Sequence, residues 1–328
     1  MRQYVWCIGL LVSVCGHVQA QSTAGITGVP DTSYSLQSAY RNTLKSFPQI
    51  VAVTDTVSRN IKQKQFTYCN TDGDGLTIDA FWLRHKTSQK RTAVILIHGG
   101  GWRSGSPSLH HPLAQRLALM GYVCFTPQYR LSTHALYPAA VHDLKAAVSW
   151  VRANADRWNL DTNAIAVAGH SAGGELAAFL GTTNGMEKFE NQVCRQAARS
   201  WVNAVVDIDG ILAFIHPESG EGDDSKRTSA ATYWFGYSKE QNPALWKDGS
   251  PLTHVSKSAP PVLFINSSVA RMQAGQKDYI EKLKSYGIYW QVLNFPEAPH
   301  SFPLFQPWFH PMLAAIDSFL KQVFREKN

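Results

Sequence analysis

The chain of 328 residues carries a formal net charge of +7, with 44% hydrophobic and 17% charged residues. This composition is typical of a globular protein with a sizeable core and excludes a disordered chain. The basic residues are spread along the sequence without a run that could grip a phosphate backbone. We therefore expect a mildly basic surface and no nucleic-acid partner.

The first 20 residues have the pattern of a secretory signal peptide. Arg2 supplies a positive charge, Val5–Val14 form a short apolar stretch, and small or aliphatic residues lead to a predicted cleavage after Ala20. The apolar stretch is too short for a comfortable membrane span. A secreted or periplasmic protein without membrane insertion is expected, and its oligomeric state stays open.

The remaining sequence divides into a polar N-terminal lead-in over residues 21–64, with one short helix, and a single domain over residues 65–328. The domain opens with a predicted hairpin whose turn is Asp72–Gly75. Apolar strands and helices then alternate. The strands are predicted at Ala93–Ile97, Tyr122–Pro127, Ala164–Ala168, Val202–Ile208, Pro261–Ile265 and Tyr289–Phe295, and the helices at Pro112–Met120, Ala139–Ala155, Gly174–Leu180, Gln276–Tyr286 and Pro311–Phe324.

This alternation predicts the fold class. Fully apolar strands separated by helices indicate an α/β fold, in which a mostly parallel central sheet is covered by helices on both faces. Residues 211–258 break the alternation because they are polar and too long for a plain connection. We expect them to form an insertion over the C-terminal edge of the sheet, where ligands bind in open α/β sheets.

Two glycine-rich motifs follow predicted strands. Gly169–Gly173 fits the pattern G-x-S-x-G between a strand and a helix, which is the arrangement of a nucleophile elbow centred on Ser171. His98–Trp102 reads His-Gly-Gly-Gly-Trp, and residues without side chains let backbone N–H groups reach a developing oxyanion. The amides of Gly100, Gly101 and Ala172 are the predicted oxyanion hole. A phosphate-binding loop is the alternative, but no Lys-Ser or Lys-Thr follows the glycines.

With these motifs, the run from Ile95 to Leu180 resembles the branch of the α/β-hydrolases that contains hormone-sensitive-lipase-like enzymes and bifunctional feruloyl/acetylxylan esterases. Tyr129–Leu131 and Tyr137–Ala140 belong to the same resemblance, which extends over residues 65–324. It implies an α/β-hydrolase fold and the hydrolysis of carboxylic esters through an acyl-enzyme, without a cofactor. The tryptophan after the glycines and the signal peptide favour the carbohydrate-esterase side of this branch.

The general base is predicted near the C-terminus. His300 follows the strand Tyr289–Phe295 and precedes the last helix, which is where this family carries its catalytic histidine. His310 is the alternative, but it already belongs to the predicted start of that helix. His300 would take the proton of Ser171 and return it to the leaving alcohol.

The carboxylate that orients His300 stays open at this point. The relatives usually carry an aspartate in the loop after the strand Pro261–Ile265, whereas the loop here, residues 266–272, contains no carboxylate. Asp209 follows the preceding sheet strand, and pancreatic-type lipases show that an acid at that place can reach the histidine. We rank Asp209 first, Glu297 in the histidine's own loop as the alternative, and Asp207 behind both.

The substrate is expected to be an acylated carbohydrate. Aromatic residues cluster in the glycine motif and the insertion, and Trp102 and Trp234 are candidates for stacking on sugar rings. We expect short acyl esters, acetyl above all, on plant-type polysaccharides. Feruloyl esters, an amidase or peptidase with the same triad, and a non-catalytic binding protein are the alternatives.

The cysteines and histidines predict no metal site. Cys69, Cys124 and Cys194 remain after cleavage of the signal peptide, so at most one disulfide can form, and the pairing stays open. Cys124 lies in an apolar strand and is expected to act as a small hydrophobic residue. The adjacent His110 and His111 cannot face one metal ion from a single helix face.

Overall fold

The computed structural model describes residues 21–55, 58–71, 74–85 and 87–325. The predicted signal peptide and residues 72–73 of the predicted hairpin turn lie outside these ranges. Among the helices of the described residues, none has the length and hydropathy needed to cross a membrane.

An eight-stranded sheet forms the centre of the molecule. Its strands are β2 (Ile61–Thr71), β3 (Asp74–Leu83), β4 (Arg91–Ile97), β5 (Val123–Pro127), β6 (Leu160–His170), β7 (Ala204–Ile208), β8 (Val262–Asn266) and β9 (Trp290–Asn294). Their spatial order is β2-β3-β5-β4-β6-β7-β8-β9. The pairs β2–β3 and β3–β5 at one edge are antiparallel, and all other neighbouring pairs are parallel. The predicted mostly parallel α/β fold is confirmed.

The central strands are apolar throughout because both faces of the sheet are buried. Alternate side chains of a strand point to opposite faces. In β4, Ile95 and Ile97 belong to one core cluster, together with Leu144 and Leu176, while Val94 and Leu96 belong to the other. The second cluster contains the apolar residues of the helices that cover the opposite face.

Helices cover both faces of the sheet. They are α1 (Leu36–Thr43), α2 (His111–Leu119), α3 (Ala139–Ala153), α4 (Ala172–Thr182), α5 (Ala230–Phe235), α6 (Pro243–Asp248), α7 (Pro251–His254), α8 (Gln276–Ser285) and α9 (Phe309–Arg325). Apolar residues of α3, α4 and α8 belong to the first core cluster, so these helices pack on one face of the sheet. Those of α2 and α9 belong to the second cluster, so these two helices pack on the other face. His310 lies at the start of α9, as predicted, and it is exposed.

The N-terminal lead-in packs onto the rest of the chain. A short strand, β1 (Val51–Ala52), pairs antiparallel with β10 (Phe305–Gln306) near the C-terminus. The amides of Thr27 and Gly28 both donate to the carbonyl of Thr133. The lead-in contains the predicted short helix, α1, and it ends earlier than predicted because β2 already begins at Ile61.

One disulfide joins two distant parts of the chain. Cys69 in β2 is bonded to Cys194, in the connection that follows α4. Cys124 is a free, buried thiol in β5, and burial raises its pKa, so it acts as a small hydrophobic residue. The pairing that the cysteine count left open is therefore Cys69 with Cys194.

Candidate active site

Ser171 lies at the sharp turn between β6 and α4. Its backbone has φ 59° and ψ −124°, a sparsely populated positive-φ conformation that costs a non-glycine residue about 1–3 kcal/mol. The neighbouring glycines make this turn possible. A Cβ on Gly169 would lie 2.0 Å from the carbonyl oxygen of Gly173, and a Cβ on Gly173 would lie 2.0 Å from that of Ile97. The strained turn holds the serine hydroxyl above the C-terminal edge of the sheet.

Ser171, His300 and Asp209 form a continuous chain of hydrogen bonds. The Ser171 Oγ is 2.8 Å from His300 Nε2, and His300 Nδ1 is 2.7 Å from Asp209 Oδ2. An ionised carboxylate can only accept, so Nδ1 carries the proton and Nε2 accepts from the serine hydroxyl. This tautomer leaves His300 able to take the serine proton.

Asp209 is buried, and both oxygens of its carboxylate are hydrogen-bonded to Ser267. Its side chain is fully buried, and its carboxylate accepts hydrogen bonds from the Ser267 amide at 2.8 Å and from the Ser267 hydroxyl. The backbone of Asp209 has φ 53°, a second non-glycine residue in the left-handed region. Ser267 thus donates to each of the two carboxylate oxygens and fixes the orientation in which Oδ2 meets His300.

The other two carboxylates that the sequence offered do not contact the histidine. Glu297 is exposed, and neither ring nitrogen of His300 bonds to it. Asp207 is buried and accepts the Gly210 amide at 2.9 Å. Burial, above all, raises the pKa of Asp207, and the nearby charge of Asp209 adds to the shift. The structure therefore brings Asp209, and not Glu297 or Asp207, to His300.

His170, a residue with no predicted role, fixes the loop that carries the candidate base, His300. Its Nε2 lies 2.7 Å from the carbonyl oxygen of His300, to which it donates, and the centroids of the two rings are 4.8 Å apart. Burial, and then the proximity of His300, lower the pKa of His170 well below its ordinary value. A neutral imidazole at this place does not oppose a positive charge on His300. Its position beside Ser171 in the motif was the signal available.

The predicted oxyanion hole lies beside the serine. Gly100, Gly101 and Ala172 line the same cleft as Ser171 and His300. Gly100 has φ +125°, and a Cβ there would lie 2.1 Å from the carbonyl oxygen of Ser104, so only glycine fits this turn. The amides of Gly100, Gly101 and Ala172 donate to no other group among the described residues. The three residues predicted to form the oxyanion hole therefore line the cleft beside Ser171 with amides that carry no hydrogen bond among the described residues.

The catalytic cleft, defined as the space that these residues line, has a volume of about 800 Å³. One wall comes from the insertion, including Glu221, Asp223 and Arg227, and another from the lead-in, including Asp31 and Tyr34. The charges are partly paired: Arg103 contacts Asp31 at 3.1 Å, and Arg271 contacts Glu221 at 2.6 Å. As predicted, the insertion lies over the C-terminal edge of the sheet.

The prediction that Trp234 binds substrate is wrong. Its side chain has no exposed surface, and it lies in the core between the insertion and the sheet. Trp102 lines the cleft but is only 4% exposed, because its ring stacks on Trp234 at a centroid distance of 4.9 Å and an interplanar angle of 10°. Aromatic side chains that were expected to stack on sugars pack on one another here.

No metal centre accompanies these groups within the described part of the chain. No cluster of three or more His, Cys, Asp or Glu side chains in the described ranges could hold a metal ion. The arrangement at the sheet edge instead has the groups of a nucleophilic acyl transfer: an activated hydroxyl, an oriented imidazole and N–H donors for an oxyanion.

The BD-FAE family matches residues 80–273, more than half of the chain. The chain belongs to the BD-FAE family. This membership confirms the predicted resemblance to the α/β-hydrolase esterases. The family match includes Ser171, Asp209 and the glycine motif, while His300 lies beyond it.

The relatives are esterases by name. The chain is 31% identical over 267 residues to esterase LipC of Mycobacterium tuberculosis (strain ATCC 25618 / H37Rv), a match that covers 78% of this chain and 64% of LipC. The match to the probable carboxylic ester hydrolase LipM of the same organism covers 75% of this chain and 58% of LipM, at 27% identity. The chain thus spans less than two thirds of the length of these curated relatives.

A solved structure of an esterase from Thermogutta terrifontis with bound propionate resembles the chain with a TM-score of 0.65 and 23% identity, covering 81% of this chain and 95% of that one. At this identity the likeness establishes the fold alone.

The loop after β8 differs from what the family resemblance implied. The resemblance implied an aspartate there, but the chain has Ser267, and its hydroxyl and amide bind the carboxylate of Asp209. Sequence reasoning missed Ser267, since a serine in a polar loop carries no signal of its own. The absence of a carboxylate between residues 266 and 272 was the indirect signal.

Proposed function

We propose that the protein is a serine carboxylesterase that works through an acyl-enzyme. The observation that carries this proposal is the hydrogen-bonded chain from Asp209 through His300 to Ser171, which ends in a cleft lined by Gly100, Gly101 and Ala172. A binding protein has no physical need for all of these groups in this geometry.

The first half of the proposed reaction transfers the acyl group to the enzyme. Ser171 Oγ attacks the ester carbonyl carbon while its proton moves to His300 Nε2. The carbonyl oxygen becomes negatively charged and is stabilised by the amides of Gly100, Gly101 and Ala172. Asp209 stabilises the imidazolium, which then protonates the leaving alcohol as the bond from carbon to the alcohol oxygen breaks.

The second half releases the acid and restores the enzyme. A water molecule gives a proton to His300 Nε2 and attacks the acyl carbon through the same oxyanion geometry. The bond to Ser171 Oγ then breaks and the serine recovers its proton from His300. This sequence uses only side chains and amides of the site together with water.

For the substrate, we propose short acyl esters, acetyl above all, on plant-type polysaccharides. A cleft of about 800 Å³ with charged and hydroxyl-bearing walls suits a polar carrier of the acyl group. Support also comes from structures of this fold: one is the propionate-bound Thermogutta esterase, and another is a truncated carbohydrate esterase from gut microbiota, with a TM-score of 0.63 and 22% identity, covering 81% of this chain and 98% of that one. Feruloyl esters are the second candidate.

A fluorophosphonate probe tests the reaction class. We expect covalent labelling of Ser171 in the folded protein, and no labelling after Ser171→Ala or prior heat denaturation. A folded wild-type protein that stays unlabelled and hydrolyses no ester would contradict the esterase proposal and favour the non-catalytic binding protein.

A substrate series tests the acyl and alcohol parts. We expect kcat/KM on p-nitrophenyl esters to fall from acetate to decanoate, and acetate to be released from acetylated xylan. Faster release of ferulate than of acetate would favour the feruloyl alternative. Hydrolysis of p-nitroanilides at rates near those of esters would favour the amidase or peptidase.

We also propose that the protein is exported after cleavage following Ala20. The support is the sequence pattern of residues 1–20. Expression of the full chain in a bacterial host, followed by mass spectrometry of the periplasmic and extracellular protein, should find an N-terminus at Gln21. Intact protein confined to the cytoplasm would contradict export.

A further inference from the structure

Glu175 is a buried carboxyl group directly beneath the catalytic cleft. It lies one helical turn after Ser171 on α4, and its side chain has no exposed surface. Oε2 accepts the indole N–H of Trp102 at 2.9 Å. Oε1 is also buried and has no hydrogen-bond partner among the described residues. None of the proposed reaction steps uses this residue.

Trp102 needs a strong anchor at this position. It has φ 56°, a left-handed conformation that a bulky side chain rarely adopts, and it directly follows Gly100 and Gly101. Its ring is fixed by stacking on Trp234, and its backbone carbonyl accepts the Ser132 amide at 2.8 Å. The bond to Glu175 is a side-chain hydrogen bond that ties this turn to α4, the helix whose N-cap is Ser171.

The surroundings favour a neutral carboxyl group at Glu175. Burial raises the pKa of Glu175 well above its ordinary value, the indole hydrogen bond opposes this shift, and the charge of Asp207 adds to it. A negative charge under the serine would oppose the oxyanion, whereas a neutral carboxyl would not. A glutamine could reproduce this state, with its carbonyl toward the indole and its amide at the place of Oε1.

We propose that Glu175 is the positioning residue of the oxyanion hole, because its hydrogen bond to the Trp102 indole holds the Gly100–Trp102 turn against the helix that carries Ser171. The inference rests on the proposed esterase function. It predicts a role for Glu175 in kcat, because misplaced amides weaken the binding of the transition state more than that of the ester.

The experiment compares Glu175→Gln, Glu175→Leu, Trp102→Phe and the double variant Glu175→Leu/Trp102→Phe by kcat and KM on p-nitrophenyl acetate. We expect Glu175→Gln to keep kcat within about threefold. Glu175→Leu and Trp102→Phe should each lower kcat by about 10- to 100-fold with little change in KM. The double variant should fall no further than the singles, because both changes remove the same bond.

Ser149→Ala is the matched control, since the buried Ser149 lies on α3 outside the cleft and the change removes a part-buried hydrogen bond from its hydroxyl to the Ala198 carbonyl. It should lower Tm without lowering kcat. A folded Trp102→Phe variant with wild-type kcat, even at lowered Tm, would overturn the inference. So would a Glu175→Gln variant as slow as Glu175→Leu.

Hydrogen exchange separates this inference from the proposed function. The amides of Arg103 and Ser104, which donate to the Gly100 carbonyl, and of Ser132, which donates to the Trp102 carbonyl, report on this turn. They should exchange faster in Glu175→Leu than in the wild type, while Glu175→Gln stays close to the wild type. If the wild type hydrolyses no ester, the esterase proposal fails, and the exchange comparison still decides whether Glu175 holds the turn. Unchanged exchange in Glu175→Leu would refute that role. If Glu175→Leu does not fold, Trp102→Phe supplies the same comparison.

Discussion

The loops after β7 and β8 lie side by side at one edge of the sheet, yet they contribute different groups to the same contact. Asp209 directly follows Ile208, and Ser267 follows Ile265 by two residues, while Ile208 and Ile265 are paired in the sheet. The first loop supplies the carboxylate that meets His300, and the second supplies the hydroxyl and amide that hold this carboxylate.

This division of roles teaches what the site requires. His300 needs a buried acceptor at Nδ1, and the ends of two adjacent parallel strands can both deliver one. We therefore expect that the carboxylate and its supporting donor can exchange places without a change in the fold. A family pattern that assigns the acid to the β8 loop describes one of these two solutions.

The largest effect should follow Asp209→Asn. The backbone N–H of Ser267 would hold the carbonyl oxygen of the new side chain in the place of Oδ1. The side-chain NH₂ would then face His300 Nδ1 and donate to it, so the imidazole proton would move to Nε2. His300 could then no longer accept from Ser171. We expect kcat to fall by about 10³- to 10⁴-fold with little loss of Tm. Steady-state kinetics and thermal unfolding measure both, and a loss below tenfold would mean that Asp209 does not orient the histidine.

How far the sequence alone predicts this site depends on the kind of signal. The parallel strands could be predicted from the sequence because both of their faces are buried, which leaves uninterrupted apolar runs such as Ala93–Ile97. The turn at Ser171 could be predicted because close backbone contacts at positions 169 and 173 exclude any side chain, and so leave two glycines as a signal in the sequence. Both signals are local in the sequence.

Local signals did not predict which carboxylate bonds to His300, or whether the aromatic residues face the substrate or the core. Asp209 differs from Asp207 and Glu297 in where its side chain points, which depends on its φ of 53° and on the pairing of β7 with β8. Trp234 and Trp102 were assigned to substrate because aromatic rings stack on sugars, but the same property packs them against each other. Only the assembled fold distinguishes these outcomes.

An exchange of the two side chains sharpens the comparison. Asp209→Ser alone removes the carboxylate and should be nearly as damaging as Asp209→Asn. Adding Ser267→Asp returns a carboxylate from the β8 loop, and we expect kcat/KM at least tenfold above that of Asp209→Ser. Hydrolysis of p-nitrophenyl acetate measures the recovery. If the double variant folds but is no more active than Asp209→Ser, the acid cannot be moved to β8.

Ser267→Ala should have a smaller effect because the backbone part of the support remains. The hydroxyl bond to Asp209 is lost, while the Ser267 amide still donates to the carboxylate. A hydrogen bond to a charged group contributes about 1.5–3 kcal/mol, so we expect kcat/KM to fall by about 10- to 150-fold. Ser268→Ala, which loses a bond to the Ala298 carbonyl instead, is the control in the next position and should stay within about threefold.

Glu297→Gln should have the smallest effect, although this residue is only three positions from His300. Its carboxylate is exposed, so water and salt screen its charge, and His300 Nδ1 is already bonded to Asp209. We expect kcat/KM within about twofold of the wild type from pH 5 to pH 9. Glu297 and Asp209 are the two carboxylates that the sequence offers for this role. The ratio of the kcat/KM loss in Asp209→Asn to that in Glu297→Gln therefore measures how far the acid comes from the β7 loop alone. A loss at Glu297 equal to that at Asp209 would transfer the role to the histidine's own loop.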